Sequence, residues 1–228
     1  MANAQSPASP PSPPKLDLRG DRFKPLTYEQ MTPEQKTMID NLLAGDRGTV
    51  TGPFNVMLRS PEMGDLAQKF GAQMRYHSSI PRKLNEFAIL ITARYWTSQY
   101  EWFAHSRDGV KYGLNPALVE SLSTGQRPAP MEPDEEIVYN FCSELLKTKQ
   151  VSDATFKATK DKFGERGVVD LIGTIGYYNL VSQLSGYKSN RISWLAGLNR
   201  SCWESGGWRA CKMGVFSKSV TLRTCRIW

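Results

Sequence analysis

The amino-acid sequence predicts an all-α fold, and two observations support this prediction. A residue that can cap a helix is followed directly by proline at Thr32, Ser60 and Asn115, and such a pair is a typical start of a helix. Beyond these starts, apolar residues recur at intervals of three and four, whereas the alternation of a half-buried strand is almost absent. The chain of 228 residues is long enough for one domain with a substantial core.

The first half of the chain predicts three helices that each begin at or just behind a proline. They are expected at residues 33–44, 61–75 and 82–97. The third has a broad apolar face, which should pack on the core. A turn near Ser98 either separates this helix from the next one, or the two run on as one.

The second half predicts four more helices, after the one that follows Ser98. They are expected at residues 116–124, 134–147, 152–163 and 165–184, with a proline-containing linker at 126–133. The last helix is apolar on nearly every side, which predicts burial at the centre of a bundle. Tyr177 and Tyr178 lie in this helix and are interpreted as core or interface aromatics.

Four residues form the best candidate site. Ser98, Glu101 and His105 follow one another at spacings of three and four, so a helix from about residue 97 places them on one face. Glu86 lies twelve residues before Ser98 in an apolar run. A hydroxyl, two carboxylates and an imidazole within reach of one small ligand are suited to acid/base chemistry.

A weak surface ion pair is the alternative interpretation of Glu101 and His105, because Glu and His four residues apart are common on solvated helices. The flanking sequence argues for burial instead. Five aromatic residues surround the pair, namely Tyr95, Trp96, Tyr100, Trp102 and Phe103. Burial makes an unpaired ionisable group costly, so these groups should satisfy one another or work at a site.

The distribution of charge argues against nucleic acid as a partner. The net charge is +7, but residues 189–228 carry seven basic and one acidic side chain, which leaves the remainder of the chain at +1. No basic stripe or nucleic-acid-binding motif is present. No apolar run approaches the roughly 18 residues of a membrane span either, so we expect no membrane association.

Both ends of the chain differ from its middle. Residues 1–26 begin with a proline-rich stretch and are expected to form a disordered arm, and residues 27–188 form the helical domain. Residues 189–228 form an atypical basic tail with three of the four cysteines and four of the six tryptophans. This tail is either a partner-binding segment or the product of an altered reading frame. The cysteines lack zinc-site spacing, and with no secretory signal we expect free thiols in the cytoplasm.

Four segments together resemble a known family, the carboxymuconolactone decarboxylase and alkylhydroperoxidase AhpD-like proteins. They are GPFNVMLRSPE at 52–62, LNEFAIL at 84–90, YEWFAH at 100–105 and YYNLVS at 177–182. The resemblance covers about residues 30–187. It implies an AhpD-like helical bundle that assembles as a homo-oligomer, a trimer or a hexamer.

The peroxidase branch of this family carries a glutamate followed by the motif Cys-x-x-Cys-x-x-x-His. The resemblance places Glu86 on the glutamate, Ser98 and Glu101 on the two cysteines, and His105 on the histidine. A hydroxyl and a carboxylate neither form a disulfide nor supply a thiolate, so peroxide reduction is not expected. Residual peroxidase chemistry through Cys142 or a tail thiol is the least favoured alternative.

The decarboxylase branch, which retains acid/base groups without the thiols, matches the chain better. The expected function is a cofactor-free lyase, decarboxylase-like or isomerase-like, that acts on a small cyclic or conjugated carboxylic acid or lactone. His105 is the expected proton donor, with Glu101 as its partner and Glu86 as a relay. Substrate contacts are expected from a further group of residues, namely Ser98, Tyr100, Trp102, Arg75, Arg82 and Arg94.

Two alternatives stay open at this level. The domain is either an enzyme or a non-catalytic α-helical oligomer that binds a small ligand. A metal centre of Glu86, Glu101, His105 and His77 is disfavoured, because no second Glu-x-x-His repeat accompanies these residues. We therefore expect no metal.

Overall fold

The computed structural model describes residues 14, 16–20 and 22–186. Over these residues the regular structure is entirely helical, so the predicted all-α class is confirmed. A short 3-10 turn at Tyr28–Gln30 precedes the helices α1 (Pro33–Ala44), α2 (Phe54–Met57), α3 (Pro61–Tyr76), α4 (Arg82–Tyr95), α5 (Gln99–Lys111), α6 (Pro116–Ser123), α7 (Pro133–Thr148) and α8 (Asp153–Gly186).

The predicted starts of α1, α3 and α6 are confirmed, but their caps differ in chemistry. Thr32 accepts a hydrogen bond from the backbone N–H of Gln35, whose side chain accepts one from the Thr32 N–H in return. Asn115 accepts a hydrogen bond from the Ala117 N–H at 2.9 Å. The side chain of Ser60 makes no such bond, although it holds the same position. The proline that follows is therefore the feature these starts share.

Two breaks give the helices their final lengths. A turn separates α4 from α5, with Thr97 at a φ of 53° and Ser98 at the N-cap of α5. Gly164 interrupts α8 with a φ of 70° and a ψ of 177°, which divides it into the two predicted helices. A Cβ at Gly164 would meet no atom within 4 Å, so the left-handed backbone, and not crowding, favours glycine there.

The centre of the bundle is α4. Every residue from 84 to 93 is buried, and α4 packs against α5, α7 and α8. The prediction that the second half of α8 occupies the centre was wrong, since Val169 and Ile172 are 66% and 47% exposed. This half of α8 covers the core with one side and leaves an apolar strip on the other.

Two hydrophobic clusters flank α4. One joins α4 to α6, α7 and α8, with Phe87, Leu118 and Phe141 at its heart. The other joins α1, α2 and the end of α8, with Ile39, Met57 and Tyr178. The candidate site lies beside the second cluster.

The described part of the predicted N-terminal arm packs on the domain. Leu18 is buried, Leu16 and Leu26 contact the second cluster, and the Asn55 amide donates to the carbonyls of Arg19 and Phe23. The packed chain therefore begins before residue 27. The tail at 189–228 lies outside the described residues, and none of the helices described is long and apolar enough to span a membrane.

Candidate active site

A buried chain of three ionisable side chains joins α4 to α5. Nδ1 of His105 lies 2.6 Å from Oε2 of Glu86, and Nε2 of the same ring lies 3.4 Å from Oε2 of Glu101. Glu86 is fully buried, and Glu101 and His105 are 3% and 2% exposed. The turn at Thr97 makes this arrangement possible, because it lets α5 fold back along α4. The predicted acid/base cluster is therefore brought together, and a solvated surface pair is excluded by burial.

The imidazole of this chain favours its protonated form. Burial alone would lower the pKa of His105, but the hydrogen bonds to Glu101 and Glu86 outweigh burial and raise it. A cationic ring donates one N–H toward each carboxylate. The ring of His105, whose protonated form is favoured, therefore lies between the side chains of Glu86 and Glu101.

Arg82 supports the inner end of the chain. Its Nε lies 3.2 Å from Oε1 of Glu86, one turn further along α4, and its Nη1 donates to the carbonyl oxygen of Arg75. The guanidinium is held between the rings of Tyr76 and Tyr112, at 5.1 and 4.8 Å from their centroids. Arg82 is thus placed to balance the charge of Glu86 from behind.

A cavity of about 70 Å³ opens on the outer end of the chain. Its walls include Glu101 and His105, together with Arg47, Arg75, Tyr177 and Tyr178. Glu86 does not line the cavity and lies behind His105. Glu101 lines the cavity, and its Oε1 is buried without a hydrogen-bond partner.

Two arginines reach the cavity. Arg75, at the end of α3, pairs with Asp108 at 2.7 Å. Burial alone would lower the pKa of Arg75, but Tyr178, Tyr76, Glu86 and Asp108 raise it, so the guanidinium stays charged. Arg47 lies between α1 and α2 and donates to the hydroxyl of Tyr177 at 3.2 Å.

Arg47, Tyr177 and Tyr178 are site residues that the sequence analysis missed. Arg47 lies 130 positions from Tyr177 in a segment without a motif, and no local signal links the two. Gly71 on α3 gives the Tyr177 ring its place, because a Cβ there would lie 2.0 Å from the ring. The ring of Tyr178 meets the His105 imidazole edge-on at 5.0 Å.

Three tyrosine hydroxyls at the cavity stay neutral. Burial raises the pKa of Tyr100, Tyr177 and Tyr178. The hydroxyl of Tyr100 lies 3.1 Å from that of Thr51, and Gly52 leaves space for its ring. Tyr100 is therefore placed as predicted, in the wall of the cavity.

Arg75 also lines the cavity as predicted, whereas the remaining predicted substrate contacts lie elsewhere. Ser98 is buried with an unpartnered hydroxyl but does not line the cavity, and neither does Arg82. Trp102 packs on the first hydrophobic cluster, and Arg94 donates through Nε to the carbonyl of Ser123. Helical spacing explains the difference for Trp102, since it follows Glu101 directly and faces another side of α5.

The four-residue metal set considered from the sequence is not assembled, because His77 lies at the surface beside Asp46 at 2.9 Å. A different trio, Glu86, His105 and Asp108, has ligand atoms within 4.8 Å of one another. Both of its carboxylates already face guanidinium groups, those of Arg82 and Arg75, and these oppose a further cation.

Cys142 is a fully buried free thiol on α7. Burial raises its pKa, which opposes the thiolate that peroxide reduction requires. The tail cysteines lie outside the described residues. Comparison with protein-family models, curated proteins and solved structures finds no significant match to this chain.

Proposed function

We propose that this protein is an acid/base enzyme that needs no cofactor and acts on a small carboxylic acid or lactone, by removing a carboxyl group or by moving a proton at carbon. The observation that carries the proposal is the buried row of side chains Glu86, His105 and Glu101, of which His105 and Glu101 line a cavity. The resemblance to the decarboxylase branch of the AhpD-like family favours the same chemistry.

The geometry supports roles for Glu101 and His105 that differ from those expected from the sequence. Both nitrogens of His105 face carboxylates, whereas Oε1 of Glu101 has no partner. We therefore assign direct proton exchange with the substrate to Glu101. His105 orients Glu101, since its Nε2 lies 3.4 Å from Oε2 of that side chain. Glu86 holds the ring in place and stabilises its cationic form.

The volume of the cavity limits the size of the substrate that it can enclose. A cavity of about 150 Å³ encloses a benzene molecule, whereas the one here holds about 70 Å³. The reacting part of the substrate therefore has few non-hydrogen atoms, and any larger part extends toward the opening. We place the reaction in the cytosol, where the unpaired thiol of Cys142 would stay reduced.

Turnover by Glu101→Gln tests this proposal. Gln is nearly isosteric but does not exchange a proton as a carboxylate does, so turnover should fall by about 10²- to 10⁴-fold. Small β-keto acids and unsaturated lactone acids would be assayed for release of carbon dioxide and, in deuterium oxide, for exchange at carbon. Glu120→Gln, which changes an exposed carboxylate on α6, is the matched control. Equal turnover in all three proteins would refute the proposal.

A non-catalytic ligand-binding oligomer is the second candidate, and an exposed apolar strip favours its assembly. The strip joins α3 to α8 and contains Met63, Leu66, Phe70, Val169 and Ile172. Contiguous exposed apolar surface commonly marks an interface. Leu66→Lys should lower the oligomer size in light scattering, with Lys69→Leu as a charge-removing control. Ligand binding without turnover across the substrate panel would favour this candidate.

A further inference from the structure

The charged side chains of the cavity wall carry an excess of positive charge that one negative charge would balance. Among the charged groups that line the cavity, the cations are Arg47 and Arg75 and the carboxylate is Glu101. The cations exceed the carboxylates by one. A buried excess charge is costly unless a partner neutralises it, so a ligand with a single negative charge fits this site.

The two arginines of the cavity wall have donors left over. Nε of Arg75 and Nε of Arg47 are both buried without a hydrogen-bond partner. Both guanidinium groups lie near the same ring, that of Tyr76, at 5.3 and 6.0 Å from its centroid. Buried donors without partners are rare, and two on residues that line one cavity favour an acceptor that comes with the ligand.

Neighbouring side chains hold both cations in place. Arg75 is anchored by Asp108, and Arg47 is held among aromatic rings, 5.4 Å from the centroid of Phe54, besides its bond to Tyr177. Aromatic faces stabilise a guanidinium without using its donors. The donors of Arg47 therefore remain for a carboxylate, whose two oxygens accept from such a fork.

We propose that Arg47 and Arg75 clamp the carboxylate of a small monoanion that carries a ketone or lactone carbonyl, and that Glu101 moves a proton at carbon while this carboxylate is retained. The proposal rests on the acid/base function above and narrows it to proton transfer. Glu101 removes a proton from the carbon next to the carbonyl, and the C–H electron pair forms the enolate. Glu101 then returns the proton to the same carbon or to a conjugated one.

We infer that the substrate keeps its carboxylate because decarboxylation and proton transfer move negative charge to different places. Loss of carbon dioxide shifts the negative charge from the carboxylate to carbon, away from the two guanidinium groups that bind it. Contacts that are stronger in the ground state than in the transition state slow a reaction. In proton transfer the clamped carboxylate keeps its charge, and the charge that Glu101 loses reappears on the enolate, so the balance of the site is preserved.

Binding of pyruvate and of its neutral twin pyruvamide tests the clamp, because the two differ in charge and little in shape. Calorimetry on the full chain should show pyruvate bound about tenfold or more tightly than the amide. Arg47→Met should lower the affinity for pyruvate by about 10- to 100-fold, and Arg47→Lys should lower it by less. The control Arg127→Met removes a surface arginine paired with Glu136 and should leave the affinity unchanged. Far-ultraviolet circular dichroism checks that each variant folds. Equal affinity for acid and amide, or for the parent and Arg47→Met, overturns the clamp.

The reaction is tested separately from the clamp. In deuterium oxide the protein should speed exchange at C3 of pyruvate, and Glu101→Gln should lose this effect while it still binds pyruvate. Release of carbon dioxide from 3-oxobutanoate should stay at its rate in buffer. Accelerated release that Glu101→Gln abolishes would support the acid/base function and overturn the inference of retention. Selective binding with neither reaction would support the clamp and contradict the enzymatic function.

Discussion

The two sides of the central helix α4 treat buried polar groups differently. On the side of α6 and α7, the buried carboxylate of Glu135 is fully engaged, 2.6 Å from Nζ of Lys83 and accepting from the Glu132 N–H at 2.9 Å. On the cavity side, buried polar atoms of Arg47, Arg75 and Glu101 have no partner, and over the described residues α6 and α7 contribute no such atom. The described buried polar atoms without a partner thus lie on the cavity side and none lies on α6 or α7, although some of them, such as the hydroxyl of Ser98, do not line the cavity.

This difference has an energetic meaning. Each buried polar atom without a partner costs about 1–3 kcal/mol in stability. Several such atoms around one small cavity are a cost that a ligand would remove by binding, whereas an isolated one is a packing defect. The contrast also implies that the side of α6 and α7 supplies the stability that the cavity side lacks.

The largest effect is expected from Phe141→Ala on the stable side. Phe141 is 1% exposed at the heart of the first cluster, and truncation should lower the free energy of unfolding by about 3–5 kcal/mol. Denaturant titration measures the change. Phe156→Ala, at a residue 44% exposed on α8, is the control and should cost much less. Equal losses would show that the first cluster is not the main source of stability.

The next effect is a pH dependence that arises on the cavity side. Because the folded protein raises the pKa of His105 above the ordinary value of about 6.5, its contribution to stability is complete below that pH and is lost as pH rises through the raised pKa. Melting temperatures between about pH 6 and pH 9 should therefore fall more steeply in the parent than in His105→Gln. Parallel curves would contradict the cationic imidazole.

A matched pair of helix caps gives a smaller difference. The side chain of Asn115 caps α6, so Asn115→Ala should cost about 1 kcal/mol. Ser98 holds the same position on α5, but its buried hydroxyl makes no bond, so Ser98→Ala should cost no stability and should recover part of the cost of that unpartnered group. Denaturant midpoints of the two variants provide the comparison. A large loss in Ser98→Ala would mean that its hydroxyl has a structural partner.

Local signals predicted most of the fold. The cap and proline pairs at Thr32 and Asn115 are confirmed, as is the division of α8 at Gly164, because each depends on a few adjacent residues. The position of α8 in the bundle was not predictable in this way. Its apolar composition predicts burial, but α4 occupies the centre and Val169 remains at the surface.

The site residues that could be predicted from the sequence are those whose arrangement depends on nearby residues. Glu101 and His105 are one turn apart, so their meeting is a local property, and Glu86 was a candidate because it is a carboxylate in an apolar run. Arg47 and Tyr177 come from distant segments, and tertiary packing alone brings them to the cavity. A contact over 130 residues leaves no trace in spacing or composition.

The smallest effect compares two residues with positive φ, one on each side of α4. Thr97 has a φ of 53° between α4 and α5, and Lys149 has a φ of 67° at the C-cap of α7. The left-handed region costs an L-residue about 1–2 kcal/mol, and a β-branched side chain such as that of Thr97 fits it poorly.

Glycine at such a position removes this strain. It also loses more backbone entropy on folding, which costs about 0.5–1 kcal/mol. Thr97→Gly should therefore gain about 0.5–1 kcal/mol of stability. Lys149→Gly should gain nothing, since it also loses the hydrogen bond from the Lys149 ammonium to the Tyr95 hydroxyl. Thermal unfolding measures both variants. If Thr97→Gly is more stable but loses turnover, the strained turn serves to position α5 against α4 so that Glu86, His105 and Glu101 meet. If Thr97→Gly is less stable, the turn is not strained. The difference between the two sides of α4 would then be limited to side chains.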